Sequence, residues 1–377
     1  MKLMLITSTY PTPTKPHQGV FNENLVRTLS EYHQVRVIAP VPWTEQVITQ
    51  SQCKNGEVVF PTFYYPPGFL RSFYGYFYWQ SIRSRFRKMC DESQPEVVLG
   101  YWAHPDSYAA VRGAKSLGVP SVVMVGGSDI RILAKGGIRR RLIRSVLMQA
   151  TQVIAFSRDL KEHVIALGID PNKIEVLYRG VDSSLFSPGD QRTARQKLQL
   201  DPADLIMLWV GRLVEVKNPQ KAIRALASCK DRFGDRLKLA IVGSGSLRPE
   251  IDNLIVQLGV EKNCLILGSL DHHQLVDWYR AADLMLLTSR SEGVPNVLLE
   301  SQACGLRFVA TDVGGVCEIA DSTFDTLVPA DDEQAYARAL ANRLEGLSDR
   351  TTKSWAPRGD DSQAFGRKLT AILERVR

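Results

Sequence analysis

Short apolar runs rich in β-branched residues alternate with amphipathic stretches along almost the whole chain, the pattern of βαβ units and parallel sheets. In the first half, strands are expected over residues 2–7, 34–39, 58–63, 96–100, 120–125, 152–156 and 173–177. Helices fit between most of them, at 22–31, 73–89, 106–117, 138–149 and 158–167. A polar stretch at 180–201, with Ser187-Pro188-Gly189-Asp190 inside it, breaks the alternation and reads as a linker. Beyond it the pattern restarts, with strands at 205–210, 237–242, 264–267, 283–288 and 307–311. The accompanying helices are expected at 219–227, 247–257, 273–281, 296–303 and 332–345. After a polar break at 349–361, the amphipathic stretch 364–376 reads as a helix detached from its own domain and packing back onto the first.

A chain of 377 residues exceeds one ordinary core, so two domains and a cleft between them are expected. Lys and Arg number 47 against 40 Asp and Glu, a formal charge of +7 with no basic tail, which suits a small anionic ligand or an acidic membrane surface better than nucleic acid. The six cysteines (Cys53, Cys90, Cys229, Cys264, Cys304 and Cys317) form no CxxC pair and read as reduced core residues. The apolar run 3–6 stops at Thr7, short of a signal-peptide core, and no segment approaches the ~20 apolar residues of a membrane span. The chain is therefore read as cytoplasmic, with contact to the inner face of the membrane left open.

Candidate chemistry clusters in strand-to-helix loops, which open α/β sheets use for ligands. Ser291-Glu292-Gly293-Val294-Pro295-Asn296-Val297-Leu298-Leu299-Glu300 puts one carboxylate in such a loop and a second about two turns into the helix. The plain alternative is an acidic group complementing a helix dipole. Gly211-Arg212-Leu213-Val214-Glu215-Val216-Lys217-Asn218-Pro219 projects two cations from one loop, fit for a diphosphate or simply solvated. Gly19 in Pro16-His17-Gln18-Gly19 permits close backbone approach at a helix start, whether to a ligand or in a turn. His104 follows a strand and reads as a hydroxyl-binding or charge-stabilising group, or as a satisfied turn residue. In Gly126-Gly127-Ser128-Asp129 the carboxylate caps a helix or reaches a ligand. Val242-Gly243-Ser244-Gly245-Ser246-Leu247-Arg248 fails the dinucleotide fingerprint, which needs glycine at the position of Arg248, and a nicotinamide enzyme is disfavoured. The stretch 69–79, followed by Arg83, Arg85, Arg87 and Lys88, together with 139–144, mixes aromatics and cations. It reads as a face for an anionic bilayer or lipid diphosphate, or as core aromatics beneath a solvated basic face.

Gly211-Arg212-Leu213 with Lys217, Glu292 through Glu300, and Gly314-Gly315-Val316 with Glu318 closely resemble glycosyltransferase family 4, which has the GT-B architecture. The similarity runs from the first strand and Gly19, through Gly180-Val181-Asp182 and Phe186, to the terminal helix, and is strongest between Leu208 and Ile319. The resemblance implies an α/β GT-B fold of two Rossmann-like doubly wound domains facing across a cleft: an acceptor domain at 1–185, a nucleotide-sugar domain at 186–355 and a C-terminal helix at 356–377 crossing back. It implies transfer with retention from a nucleotide-diphosphate sugar to a polysaccharide or lipid-linked saccharide of the cell envelope. A nucleotide-sugar epimerase of the same fold and a non-catalytic sugar-binding scaffold are the alternatives.

By the same resemblance, Arg212 and Lys217 would neutralise the leaving diphosphate, and Glu292 with the backbone of Gly293, Val294, Pro295, Asn296 and Val297 would hold the transferred sugar. Glu300 would take the ribose hydroxyls, Gly19 would let the first domain's loop close over the phosphates and His104 would approach the transferred sugar from the acceptor side. No metal or cofactor is expected beyond the donor substrate, and no nucleic-acid partner. The chain departs from the family pattern at Gln18, Gly126, Arg179 and Arg307, where glycine, histidine, asparagine and proline are frequent.

Overall fold

Runs such as Val97–Tyr101 and Ser121–Val125 are buried at every position, as strands covered on both faces must be. In the computed structural model, which describes residues 1–16, 18–45, 51–53, 56–68, 70–134, 136–348 and 361–377, they lie in one of two units. The first unit comprises Met1–Tyr178 with Ser362–Arg377, and the second Arg179–Asp361. The division falls before Arg179 and after Asp361, not at 185 and 355.

The first unit begins β1 (Lys2–Ile6), α1 (Val20–Ser30), β2 (Gln34–Ile38), β3 (Val41–Pro42), β4 (Ser51–Cys53), β5 (Gly56–Val59), β6 (Thr62–Phe63) and α2 (Tyr74–Ser93). It continues through β7 (Val97–Tyr101), α3 (Asp106–Leu117), β8 (Ser121–Val125), α4 (Ser128–Arg131), α5 (Gly137–Gln149), β9 (Gln152–Ala155), α6 (Arg158–Ile165) and β10 (Ile174–Val176). Its main sheet has the order β10-β9-β8-β7-β1-β2-β5-β4, parallel except for β4 against β5. The expected strand at 58–63 is divided at Pro61, which has no N–H for a ladder; β5 stays in the main sheet while β6 pairs with β3.

The second unit runs α7 (Gln191–Lys197), β11 (Leu205–Val210), α8 (Pro219–Phe233), β12 (Leu237–Val242), α9 (Arg248–Gln257), β13 (Cys264–Gly268) and α10 (His272–Ala281). It then adds β14 (Leu284–Leu287), α11 (Asn296–Ala303), β15 (Phe308–Thr311), α12 (Val316–Ile319), β16 (Thr326–Val328) and α13 (Glu333–Glu345). All pairings are parallel, in the order β13-β12-β11-β14-β15-β16. The strand order reverses between β11 and β14, and in the first sheet between β1 and β7. Such switch points part the loops that follow the flanking strands and leave room for a ligand.

The expected linker is part of the second unit and contains α7. Asp190 caps that helix, its Oδ1 accepting from the Thr193 amide at 2.7 Å. Arg195, buried, donates to Asp283 Oδ2 at 2.7 Å and to the Ala281 carbonyl at 3.0 Å. The segment docks through polar groups, so its pattern resembles a linker. The terminal helix, α14 (Ser362–Val376), buries Phe365, Leu369, Ile372 and Leu373 in the first unit's core. Each such burial contributes about 1.5–3 kcal/mol. Gly366 permits the contact with α1, since a Cβ there would stand 2.6 Å from Thr28 Cγ2. Most of the break at 349–361 lies outside the described residues.

Candidate functional site

In the second unit the two motif-bearing loops follow β11 and β14, the strands on either side of the switch point. The β11 loop is fixed from below. Trp209 Nε1 donates to Thr288 Oγ1 at 2.9 Å, that hydroxyl donates to the Lys217 carbonyl at 3.1 Å, and the Arg290 amide donates to the Val216 carbonyl at 2.8 Å. Lys217 is thereby held against the β14 loop, where its Nζ donates to Glu292 Oε1 at 2.6 Å. Ser289 Oγ donates to the same oxygen at 2.6 Å. Glu292 Oε2 has no partner among the described residues, and Lys217 has two further N–H groups to offer. Arg212, two residues beyond the strand end, is exposed; its carbonyl accepts from the Val214 amide at 2.9 Å, while its side chain makes no ion pair or hydrogen bond among the described residues.

The glycines explain how these loops touch. A Cβ at Gly314 would lie 2.1 Å from the Glu292 carbonyl oxygen, and the Gly315 amide donates to the Gly293 carbonyl at 2.8 Å. At Gly243 a Cβ would lie 1.8 Å from the Gly211 oxygen, and at Gly245 2.3 Å from the Leu213 oxygen. The Gly-x-Gly of the β12 loop thus serves backbone packing against the Arg212 loop, consistent with its failure as a dinucleotide fingerprint. Val294 and Pro295 are buried, and α11 starts at Asn296; the Leu298 amide donates to the Pro295 carbonyl at 3.1 Å, while the amides of Asn296 and Val297 come too early in the helix for an intrahelical acceptor.

Glu300 stands one turn into α11 rather than two, 8 % exposed, with Oε2 accepting from the Tyr279 hydroxyl at 2.9 Å. Burial pushes its carboxyl above the usual range, opposed by His272 and by that hydrogen bond. Arg179 Nη1 donates to Asn296 Oδ1 at 3.1 Å. The partners Thr288, Ser289 and Tyr279 carry no spacing signal; strand register and helix packing bring them in.

In the first unit the candidate residues are taken up by their own loops. Gly19 has φ 80°, and a Cβ there would fall 2.6 Å from the Thr9 carbonyl, so its close approach is to the β1 loop itself. His17 lies outside the described residues. His104 is 5 % exposed, and its Nε2 accepts from the Gly75 amide at 3.1 Å at the start of α2. The Ser72 backbone also hydrogen-bonds the ring. Burial, reinforced by Arg139, pulls its pKa down to about 4, so the ring is neutral near pH 7. His104 is thus buried and hydrogen-bonded to the start of α2, joining that helix to the loop after β7.

Asp129, 1 % exposed, accepts from the amides of Ala103 at 2.9 Å and Gly127 at 2.8 Å. Asp106 accepts from the Ser8 amide at 2.9 Å. Burial raises both carboxyls. The two side chains tie together the loops after β1, β7 and β8. At Gly126 a Cβ would stand 2.5 Å from the Trp102 ring, so the indole occupies the space a side chain at that position would need. Trp102 Nε1 donates to Thr9 Oγ1 at 3.2 Å.

The aromatic and basic stretch divides in two. Tyr78, Ile82, Phe86 and Met89 form the core face of α2, while Leu70, Phe73, Tyr76 and, on α5, Ile138 are exposed with Arg140 and Arg141. Phe69 lies outside the described residues. Among the described residues no group of three or more His, Cys, Asp or Glu could hold a metal ion, and no helix is long and apolar enough to cross a membrane.

Comparison with known proteins follows the same division. Residues 18–185 match the model of Glycosyltransferase Family 4, and residues 190–358 that of Glycosyl transferases group 1. A Bacillus subtilis protein named as a teichuronic acid biosynthesis glycosyltransferase, TuaC, is 28 % identical over 367 residues, covering 90 % of this chain and 88 % of that one. The D-inositol 3-phosphate glycosyltransferase of Kribbella flavida is 34 % identical over 243 residues, 62 % of this chain and 57 % of that protein, so the match spans little more than half of that relative's length. The crystal structure of Anabaena Alr3699/HepE in complex with UDP superposes with a TM-score of 0.73 at 18 % identity, covering 99 % of both chains. With both halves matched and the β11 and β14 loops assembled as described, the chain belongs to the family 4 glycosyltransferases of GT-B fold.

Proposed function

We propose that the protein transfers a sugar, with retention of anomeric configuration, from a nucleoside-diphosphate donor to a polysaccharide or lipid-linked saccharide of the cell envelope. The observation that carries this reading is the Lys217–Glu292 pair at 2.6 Å on the two loops flanking the switch point of the second unit. It sets a cation for the diphosphate beside a carboxylate for the sugar. Lys217 and Arg212 would hold the diphosphate and stabilise charge building on it as the glycosidic bond breaks. The free oxygen of Glu292 and the first-turn amides of α11 would accept from and donate to the sugar hydroxyls. Glu300 would bind the ribose hydroxyls, since a carboxylate accepts two hydrogen bonds at once.

On this reading the donor belongs to the second unit and the acceptor to the first. A donor phosphate oxygen is the expected acceptor of the incoming hydroxyl's proton, so no enzyme nucleophile is required. The HepE structures, in complex with UDP and with UDP-glucose, support a nucleotide-sugar donor, and the name of the Bacillus relative supports a polymeric acceptor.

The test is a screen of UDP-, GDP- and ADP-sugars by thermal shift, followed by product analysis with the stabilising donor. A donor at 100 times its dissociation constant adds about 2.7 kcal/mol of stability. Glu292→Ala should still bind the nucleoside diphosphate but form no product. Absence of stabilisation by every donor would refute the reading, and release of an altered nucleotide sugar without acceptor would favour an epimerase.

A further inference from the structure

Two long runs of this chain hold no acidic residue. Residues 58–90 carry five Lys and Arg and residues 130–158 carry seven, with no Asp or Glu in either. The whole chain has 47 Lys and Arg against 40 Asp and Glu, so removing these twelve leaves 35 cations facing 40 carboxylates. The net positive charge therefore belongs to the two runs alone.

The fold sets the two runs side by side. The first forms the 3₁₀ turn Arg71–Phe73 and α2, the second forms α5, and the turn packs beside α5. His104, which accepts from the Gly75 amide at the start of α2, also feels the charge of Arg139 on α5. Here Leu70, Phe73, Tyr76 and Ile138 are 56 %, 40 %, 45 % and 51 % exposed. Large apolar side chains standing about half in water on neighbouring segments gain from entering a further apolar phase. Arg71, Arg140 and Arg141 are exposed among them and form no ion pair among the described residues. The first turn of α5 has no acidic residue, so its arginines oppose the helix dipole, which an anion from outside would relieve. The far half of α2 differs. Arg87 and Lys88 stand exposed beside Asp91 and Glu92, and Arg36 pairs with Glu92 at 3.3 Å. That surface is mixed in charge and presents no exposed large apolar side chain among the described residues.

We infer that the turn at 70–76 and the start of α5 dock the first unit on an anionic lipid bilayer. The arginines meet headgroup phosphates, and Leu70, Phe73, Tyr76 and Ile138 enter the boundary between headgroups and acyl chains. A soluble polyanion would engage the cations and leave the apolar side chains in water, so the mixture of the two favours a bilayer. The attachment is peripheral, since no described helix is long and apolar enough to cross a membrane. It lies in the first unit and goes beyond the proposed transfer reaction, making no demand on the donor site.

Co-sedimentation of the full chain with vesicles of phosphatidylcholine alone, and of phosphatidylcholine mixed with phosphatidylglycerol, provides the test. Each Arg near an anionic surface contributes about a factor of five, so three predict about 100-fold stronger partitioning of the wild type onto the mixed vesicles. Arg71→Ala with Arg140→Ala and Arg141→Ala should lose most of that factor. Phe73→Ser with Ile138→Ser should lose about 10-fold or more with every charge in place. Arg87→Ala with Lys88→Ala, about 16–18 Å further along α2 than Tyr76, should change partitioning by less than about threefold. Unchanged melting temperatures establish that the variants fold, and Phe73→Ser or Ile138→Ser alone carries the test if the pair does not. No preference of the wild type for the anionic vesicles overturns the inference. Full loss in the arginine variant with none in the apolar variant assigns the face to soluble polyanions such as nucleic acid and also overturns it. Equal losses in the Arg87/Lys88 variant and the arginine variant mean that overall charge, with no defined patch, draws the protein to lipid, and overturn it too.

Discussion

In the second unit Glu292 keeps one oxygen free beside the Lys217 ion pair and Arg212 stands exposed, whereas in the first unit His104, Asp106 and Asp129 are enclosed and hydrogen-bonded to the backbone of neighbouring loops. Both sheets follow the same doubly wound plan, and both place their loops at a switch point. The difference lies in what the polar side chains are for. Around β11 and β14 they retain unused hydrogen-bonding capacity, which is what a ligand site requires. Around β1, β7 and β8 the same residue types hold loop shape, so recognition there depends on the surface the loops build.

The sharpest way to break this comparison is Lys217→Ala. If Lys217 holds the diphosphate as proposed, the substitution removes that donor and also leaves Glu292 without its counter-charge next to an incoming anion, so attraction is lost and repulsion is added. UDP affinity should fall by about 10- to 100-fold, corresponding to one charge-assisted interaction. Lys217→Ala with Glu292→Ala should recover part of that loss, a coupling that calorimetry reads directly. Undiminished affinity in the single variant would show that the ion pair is structural, as in the first unit, and the contrast would collapse.

That contrast also explains what the sequence could reveal. β11, β12 and α11 begin and end where periodicity places them, because buried parallel strands and a Pro-led helix start leave strong patterns. α7 was hidden because Arg195 and Gln191 grip the domain by ion pair and hydrogen bond, with few apolar positions to show a face. β16 (Thr326–Val328) is three residues long, below the length at which alternation can be seen. Arg212, Lys217 and Glu292 were legible as charged residues in strand-to-helix loops. Partners such as Ser289 and Tyr279 were not, since sheet register and helix packing bring them in from distant positions. His104 carries the opposite lesson: a histidine after a strand has the same local sequence whatever its ring meets, and the Gly75 amide that it accepts from is set by helix packing.

A subtler break concerns Gly126 and Trp102. If the indole fills the place of a side chain at 126, then Gly126→His overpacks that loop and should cost about 1–3 kcal/mol. Trp102→Ala vacates the same space, so the double variant should lose less than the sum of the two singles, by about 0.5–1 kcal/mol or more. Denaturant unfolding of the four proteins measures this. Strict additivity would mean that the ring yields freely, and the first unit's loops would be less tightly determined than their hydrogen bonds indicate.

The smallest effect at neutral pH belongs to His104, and it sharpens the comparison by separating positioning from chemistry. Its pKa in the folded protein is about 4 against an ordinary 6.5, so folding favours the neutral ring. Its contribution is fully present above 6.5 and is lost as pH falls from there through about 4, because the unfolded chain takes up the proton first. His104→Gln keeps an acceptor for the Gly75 amide but has no proton to gain, so its stability should decline less than that of the wild type across that window. At pH 7 the variant should bind UDP as the wild type does, since the proposed donor site lies in the other unit. Parallel pH–stability curves for the two proteins would mean that the ring is not held neutral by its surroundings. A loss of turnover at unchanged UDP affinity and stability would return His104 to the reacting groups, and the first unit would then resemble the second in keeping a side chain for chemistry.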